Sequence, residues 1–207
     1  MSTDARLTTT SYAVLSLLGV RPWSTYELTQ QMDRSLGRIW PRAVSKLYEE
    51  PKKLVGHGLA RARKEEVGER PRTVYSITPK GQRALADWLK EPGDGPVLAF
   101  EQLLKVNFAE YGTTADALAT LSATRAWAEE RNQDNLAAAR AYLSGEGPFP
   151  QRAPQNTLGG RFLTEFYRMV AEWADWATAM VERWPDDPGQ AQPDVAAMEE
   201  IVRRADW

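Results

Sequence analysis

The chain has 207 residues, 43% hydrophobic and 26% charged, enough for one large domain or two small ones with a packed core. It has no cysteine and a single histidine, His57, which excludes disulfide scaffolds, thiolate metal sites, cysteine nucleophiles and iron–sulfur clusters. No apolar run approaches a membrane span and no signal-peptide core opens the chain, so a cytoplasmic protein with no membrane partner, no metal and no cofactor is expected.

In chain order, Thr8 to Ser11 form a cap region for a first helix with Ala13, Val14, Leu17 and Leu18 at helical spacing, closed at Gly19. Ser24 and Glu27 stand at capping-box spacing and start a second helix with the stripe Leu28, Met32, Leu36. A third begins near Pro41, presents Arg42, Ser45, Lys46, Glu49, Lys52 and Lys53 on its polar face, and ends around Gly56 to Gly58. Pro51 removes an amide donor inside that helix and clashes with the Leu47 carbonyl, so a kink or early break is expected there. Alternation from Leu59 to Val67, a turn at Gly68 to Pro71 and β-formers from Thr73 to Ile77 predict a hairpin. Thr78 caps, and Pro79 opens, a fourth helix. Three helices, a hairpin and a helix are the layout of a winged helix-turn-helix, in which the third helix enters the major groove and the hairpin tip meets the flanking backbone.

Proline and glycine at 91–96 mark a domain boundary, and the charge changes sign there. Residues 1–92 hold 16 basic and 10 acidic side chains, residues 93–207 hold 10 and 18. The second half reads as all-helical, with helices over about 97–111, 114–143 and 157–184 and a short, weaker pattern over 195–204. The longest stripe is Phe162, Phe166, Val170, Trp173, Ala177, Met180 and Trp184. The expected organisation is therefore 1–91 as a winged helix-turn-helix domain, 97–184 as a helical dimerisation and effector domain, and 185–207 as a tail. The fold class is mainly α, with α+β character in the first part.

Tyr26-Glu27-Leu28, Trp40, Tyr48, Gly58-Leu59, Arg70-Pro71-Arg72, Tyr75 to Thr78 and Gly81, in that order and spacing, resemble the PadR family of transcriptional regulators. The resemblance covers about residues 10–90; residues 97–184 are similar to the helical domain of its longer members by pattern. It implies a homodimeric cytoplasmic repressor, not an enzyme, relieved when a small molecule binds.

On this reading Arg42, Ser45 and Lys46 face bases, with Lys52 and Lys53 as weaker candidates beyond Pro51. Arg70, Arg72 and Thr73 form the wing contact, directed at phosphate or the minor groove. Trp40 and Tyr48 are expected to pack the small domain. Trp127, Trp173 and Trp176 are candidates to line a pocket for a small aromatic effector, or they fill the core. Phe162, Phe166, Val170, Ala177, Met180 and Trp184 are the expected dimer interface. The expected partners are a pseudo-palindromic double-stranded operator and a second copy. The competing reading is a protein-interaction adaptor that uses the same fold without specific DNA binding; nothing in the sequence assembles a nucleophile, a base and an orienting group.

Overall fold

The computed structural model describes residues 6–41, 44–67 and 70–206, with side chains at 44–46, 66, 67, 70 and 71 outside that description. The chain forms two compact units, Met1–Pro96 and Val97–Trp207.

The first unit runs α1 (Thr9–Val20), β1 (Trp23–Ser24), α2 (Thr25–Gln31), α3 (Val44–Gly56), β2 (Ala60–Val67), β3 (Arg70–Ile77) and α4 (Pro79–Trp88). Side-chain caps set the N-termini of α1, α2 and α4. Thr8 and Ser11 close a capping box on α1, and Ser24 and Glu27 close another on α2, each stabilising its helix by about 1 kcal/mol. The Ser24 hydroxyl and amide, and then Arg21, hold the Glu27 carboxyl below the usual carboxylate range. Thr78 accepts from the Gly81 amide at 3.0 Å to start α4. Residues Met32–Leu36 extend α2 by a π-helical turn, closed by Gly37 donating to the Met32 carbonyl at 2.8 Å.

Two expectations change here. Gly19 does not close α1, which continues to Val20. Pro51 does not break α3, which runs unbroken to Gly56. The Pro51 ring is fully buried, and burying a side chain of that size offsets much of the ~3 kcal/mol a helical proline costs.

α3 ends in a Schellman motif: Leu59 donates to the Leu54 carbonyl and Gly58 to the Val55 carbonyl, both at 2.9 Å, with Gly58 at φ 69°. The Thr78 hydroxyl then reaches the Gly58 carbonyl at 2.8 Å, so the hairpin leaves and returns at one pinned point. Gly81 sits there because a Cβ would lie 2.1 Å from the Leu59 carbonyl oxygen. The sheet order is β1-β3-β2, all antiparallel, with Ala60 opposite Ile77 and Val67 opposite Arg70. β3 therefore already includes Arg70 and Pro71, which the sequence reading placed in the turn. The core joins Val14, Leu15 and Leu18 of α1 to Leu28, Met32, Leu54, Leu59 and Tyr75.

The second unit runs α5 (Glu101–Asn107), α6 (Thr114–Leu143), α7 (Ala153–Val181) and α8 (Val195–Ala205). α5 starts at Glu101 rather than near Val97: residues 97–100 are outside any helix, and Phe100, which precedes α5, is extended and offers no side-chain cap. α6 and α7 are antiparallel: Thr114 hydrogen-bonds the Pro185 carbonyl, Arg125 bonds Asp175 at 2.6 Å, and Asn135 bonds Thr164 at 2.8 Å. Their seam has heptad spacing, with Ala117, Leu121, Thr124 and Ala128 facing Tyr167, Val170, Ala174, Ala177 and Val181, all buried. Four alanines in that seam let the helices approach closely.

Candidate nucleic-acid interface

The third helix is held from behind by one polar cluster. Fully buried Ser11 donates to the Glu50 carboxylate at 2.7 Å and accepts from the Lys53 ammonium at 3.1 Å, while Lys53 and Glu50 pair at 3.6 Å. The same serine closes the α1 cap, so the start of α1 and the middle of α3 are locked together. Lys53 is thereby turned inward. A side chain only 17% exposed and bound to two partners is a poor phosphate ligand, and its place in the expected contact set is a correction.

Lys52 is exposed on the outer face. Arg42 lies outside the described residues, and so do the side chains of Ser45 and Lys46, whose backbones open α3. Tyr48, expected in the core, is 43% exposed. At 100° per residue Ser45, Tyr48 and Lys52 share one face, so Tyr48 joins the outer surface of α3. Trp40 does pack inward, its indole donating to Thr10 at 3.1 Å.

The wing has two faces. Ala60, Ala62 and Tyr75 turn towards the core side, and Arg61, Arg63, Glu65, Arg72 and Ser76 share the other by strand alternation and register. Arg61 bonds Ser76 at 3.0 Å; Arg63 and Arg72 both reach Glu65, at 2.5 and 3.3 Å. These guanidiniums, Arg63 foremost, hold the Glu65 carboxyl below the usual carboxylate range. Arg61, Arg63, Lys64 and Arg72 are all exposed, and Thr73, opposite Lys64, is half-buried. The Arg70 side chain lies outside the described residues. The wing's strand cations Arg61, Arg63 and Lys64 were missed in the sequence because alternation was used to find the hairpin, not to sort its faces.

The transcriptional regulator PadR-like family model matches residues 14–87, and the virulence activator alpha C-terminal model matches residues 101–182. The negative transcriptional regulator PadR of Bacillus subtilis is 34% identical over 79 residues, which are 38% of this chain and 43% of that protein. Residues 14–87 carry a domain that matches the PadR-like family of transcriptional regulators. The sequence match thus spans under half of the Bacillus relative's length. The crystal structure of Bacillus subtilis PadR in complex with operator DNA superposes with a TM-score of 0.72 at 23% identity, covering 84% of this chain and 99% of that one. The complex of the same protein with p-coumaric acid gives 0.64 at 22% identity, covering 88% and 99%. At such identities the likeness establishes the fold, a winged helix-turn-helix followed by a helical region.

In the second unit the three tryptophans do not converge. Trp127 packs edge-on against Phe166 and Tyr167, whereas Trp173 meets Phe100 and flanks the Leu121 and Val181 end of the seam. Trp176 is exposed. A cavity of about 360 Å³ lies elsewhere, between α5 and the start of α6, walled by Leu104, Phe108, Ala109, Tyr111 and Ala117. Of the expected interface stripe, Val170 and Ala177 are consumed by the seam inside the chain, while Phe162 is 58% exposed and Phe166, Met180 and Trp184 are half-buried. Among the described residues no helix is long and apolar enough to cross a membrane.

Proposed function

We propose that this chain is a dimeric, cytoplasmic repressor that reads an operator with α3, grips flanking phosphates with the wing, and lets go when a small planar aromatic molecule binds. The observation that carries the reading is the pairing of a rigid outer α3 face, exposing Tyr48 and Lys52, with a wing that exposes Arg61, Arg63, Lys64 and Arg72. Cations on two elements locked to one another can follow a groove and its neighbouring backbone together. The acidic second half suits subunit contact rather than DNA, and exposed Leu158, Phe162 and Met169 along α7 suit a second copy. Relatives crystallised with operator DNA and with p-coumaric acid support the DNA and effector parts of the reading.

A gel shift on the chain's own upstream promoter against random DNA, at two salt concentrations, tests this. Specific retardation is expected, with two half-sites about one helical turn apart or a multiple of it. Arg42→Ala is expected to cost ~1–3 kcal/mol on the cognate site and much less on random DNA. Arg70→Ala with Arg72→Ala is expected to weaken all sequences alike and to lower the log–log salt slope by up to ~4 per dimer. Equal losses on cognate and random DNA for Arg42→Ala, with an unchanged slope in the double variant, would favour the adaptor reading. An aromatic effector should quench tryptophan fluorescence and release DNA over the same concentration range.

A further inference from the structure

The last helix lies outside both family matches, which end at residue 182. α8 is amphipathic, with Val195, Met198, Ile201 and Val202 gathered on one side and 53–69% exposed. Its start is nevertheless fixed. Asp194 caps it by accepting from the Ala197 amide at 2.9 Å and binds Arg183 at 2.9 Å, and the 188–190 turn, with Pro188 buried, packs on the 109–111 turn. The anchored end leaves the apolar side of α8 in solvent within its own chain. On the same unit the α5–α6 cavity stands open, and its walls Leu104, Phe108 and Tyr111 are 56–87% exposed.

We propose that α8 of one subunit fills the α5–α6 groove of a second copy, so that the pair exchanges arms. This rests on the dimeric reading above and adds a second, separate contact to it. A two-fold exchange buries both open apolar surfaces twice, which a single chain with a capped, anchored α8 does not. Charge favours the same occupant. Glu199 and Arg203 lie one helical turn apart and have no ion-pair partner among the described residues. Lys105 and Asp116 stand on the two helices that wall the groove, and Lys105 holds only an exposed pair with Glu101 at 3.0 Å. An arm laid so that Glu199 meets Lys105 gives Glu199 a partner and sets Arg203 beside Asp116, whose Oδ2 already accepts from the Thr113 amide and hydroxyl in the α6 cap and has a second carboxylate oxygen to offer. A lipid or nucleic-acid surface is disfavoured, because Arg203 and Arg204 are outnumbered by Asp194, Glu199, Glu200 and Asp206 in a half with 18 acidic and 10 basic residues.

The chain has no cysteine, so Leu104→Cys with Met198→Cys reports the contact directly. Mild oxidation at micromolar concentration should give a disulfide-linked dimer on a non-reducing gel, abolished by prior denaturation. A disulfide closed within one chain, or no disulfide in a protein that still sediments as a dimer, overturns the exchange and leaves the dimeric reading standing. A wild-type chain that sediments as a monomer overturns both. Met198→Asp with Ile201→Asp should raise the dimer dissociation constant about tenfold or more and should let the groove bind anilinonaphthalene sulfonate. Wild-type dimer that already binds this probe in the groove overturns the exchange in favour of an open small-molecule site. Lys105→Glu and Glu199→Lys should each weaken the dimer, and their combination should restore it; additive losses overturn the assigned orientation of the arm.

Discussion

The two units solve the burial problem in opposite ways. The first closes on itself: a small core is sealed by side-chain caps at Thr8, Ser24 and Thr78, by a Schellman end at Gly58, and by the Ser11–Glu50–Lys53 cluster that joins two helices. Its outer face is left to cations. The second closes only along one seam, and α5, α7 and α8 leave large apolar side chains such as Leu104, Phe162 and Ile201 in solvent. A self-sufficient unit can present a rigid charged surface, whereas a unit with exposed apolar side chains outside its seam suits the subunit contact proposed above.

The largest test of that contrast is core truncation on each side. Leu54 and Leu121 are both fully buried, so Leu54→Ala and Leu121→Ala should each destabilise by ~2–5 kcal/mol. Calorimetry should show the first lowering the melting of the DNA-binding unit and the second that of the helical unit, with Leu121→Ala also weakening self-association. A single shared transition lowered equally by both would break the division. Next in size is Ser11→Ala, which removes the group between Glu50 and Lys53 and leaves two half-buried charges 3.6 Å apart with only each other. Urea titration should register a loss of ~1–3 kcal/mol.

A smaller effect follows from the α2 cap. Glu27 has its folded pKa depressed, so its contribution is present above its unfolded value and is lost as pH falls through the folded one. Thermal melts taken on acidification should therefore fall for the wild type, and Glu27→Gln should be less stable at neutral pH but should lose less over the same acid range. Equal acid losses in both would remove Glu27 from the account.

What could be seen in the sequence and what could not divides along the same line. Caps have local signatures three residues wide, so Ser24 with Glu27, and Thr78 with Pro79 and Gly81, were legible before any fold was known. The hairpin and the two long helices were legible as changes of period. β1 was not, because Trp23–Ser24 is two residues long and exists only through its pairing with Tyr75 and Val74. Lys53 and Tyr48 were misplaced for one reason. Helix periodicity gives faces, but Ser11 and Glu50, 39 residues apart, decide which face turns inward. The Phe162–Trp184 stripe is shared: Val170 and Ala177 go to the seam within the chain, and Phe162, Phe166, Met180 and Trp184 stay outside it. Spacing alone does not show which side of α7 the long α6 covers, and the seam that forms, at Tyr167, Val170, Ala174, Ala177 and Val181, lies to one side of the aromatic stripe.

The finest test uses two ion clusters of opposite sense. On the wing, Glu65 lies between Arg63 and Arg72; on α6, Arg125 lies between Asp175 and Glu129, which push its guanidinium pKa up, Asp175 first. Both are exposed and screened by solvent, so neither should add measurably to stability. Their electrostatic consequences differ. Glu65 occupies two guanidiniums that a phosphate would otherwise meet, so the wing cluster offers DNA one net positive charge rather than two. Glu65→Gln should leave the melting temperature essentially unchanged while tightening binding to every DNA sequence. Two subunits each gain one charge, so the log–log salt slope should steepen by up to ~2. Glu129→Gln makes the same chemical change in the acidic unit and should leave both affinity and slope unaltered. If Glu65→Gln leaves the slope unchanged, Arg63 and Arg72 do not meet the backbone and the wing contact falls to Lys64 on the opposite face of the hairpin. If Glu129→Gln steepens it as much, the effect is one of net charge at a distance, and the separation of a DNA-facing unit from a subunit-facing one loses its electrostatic support.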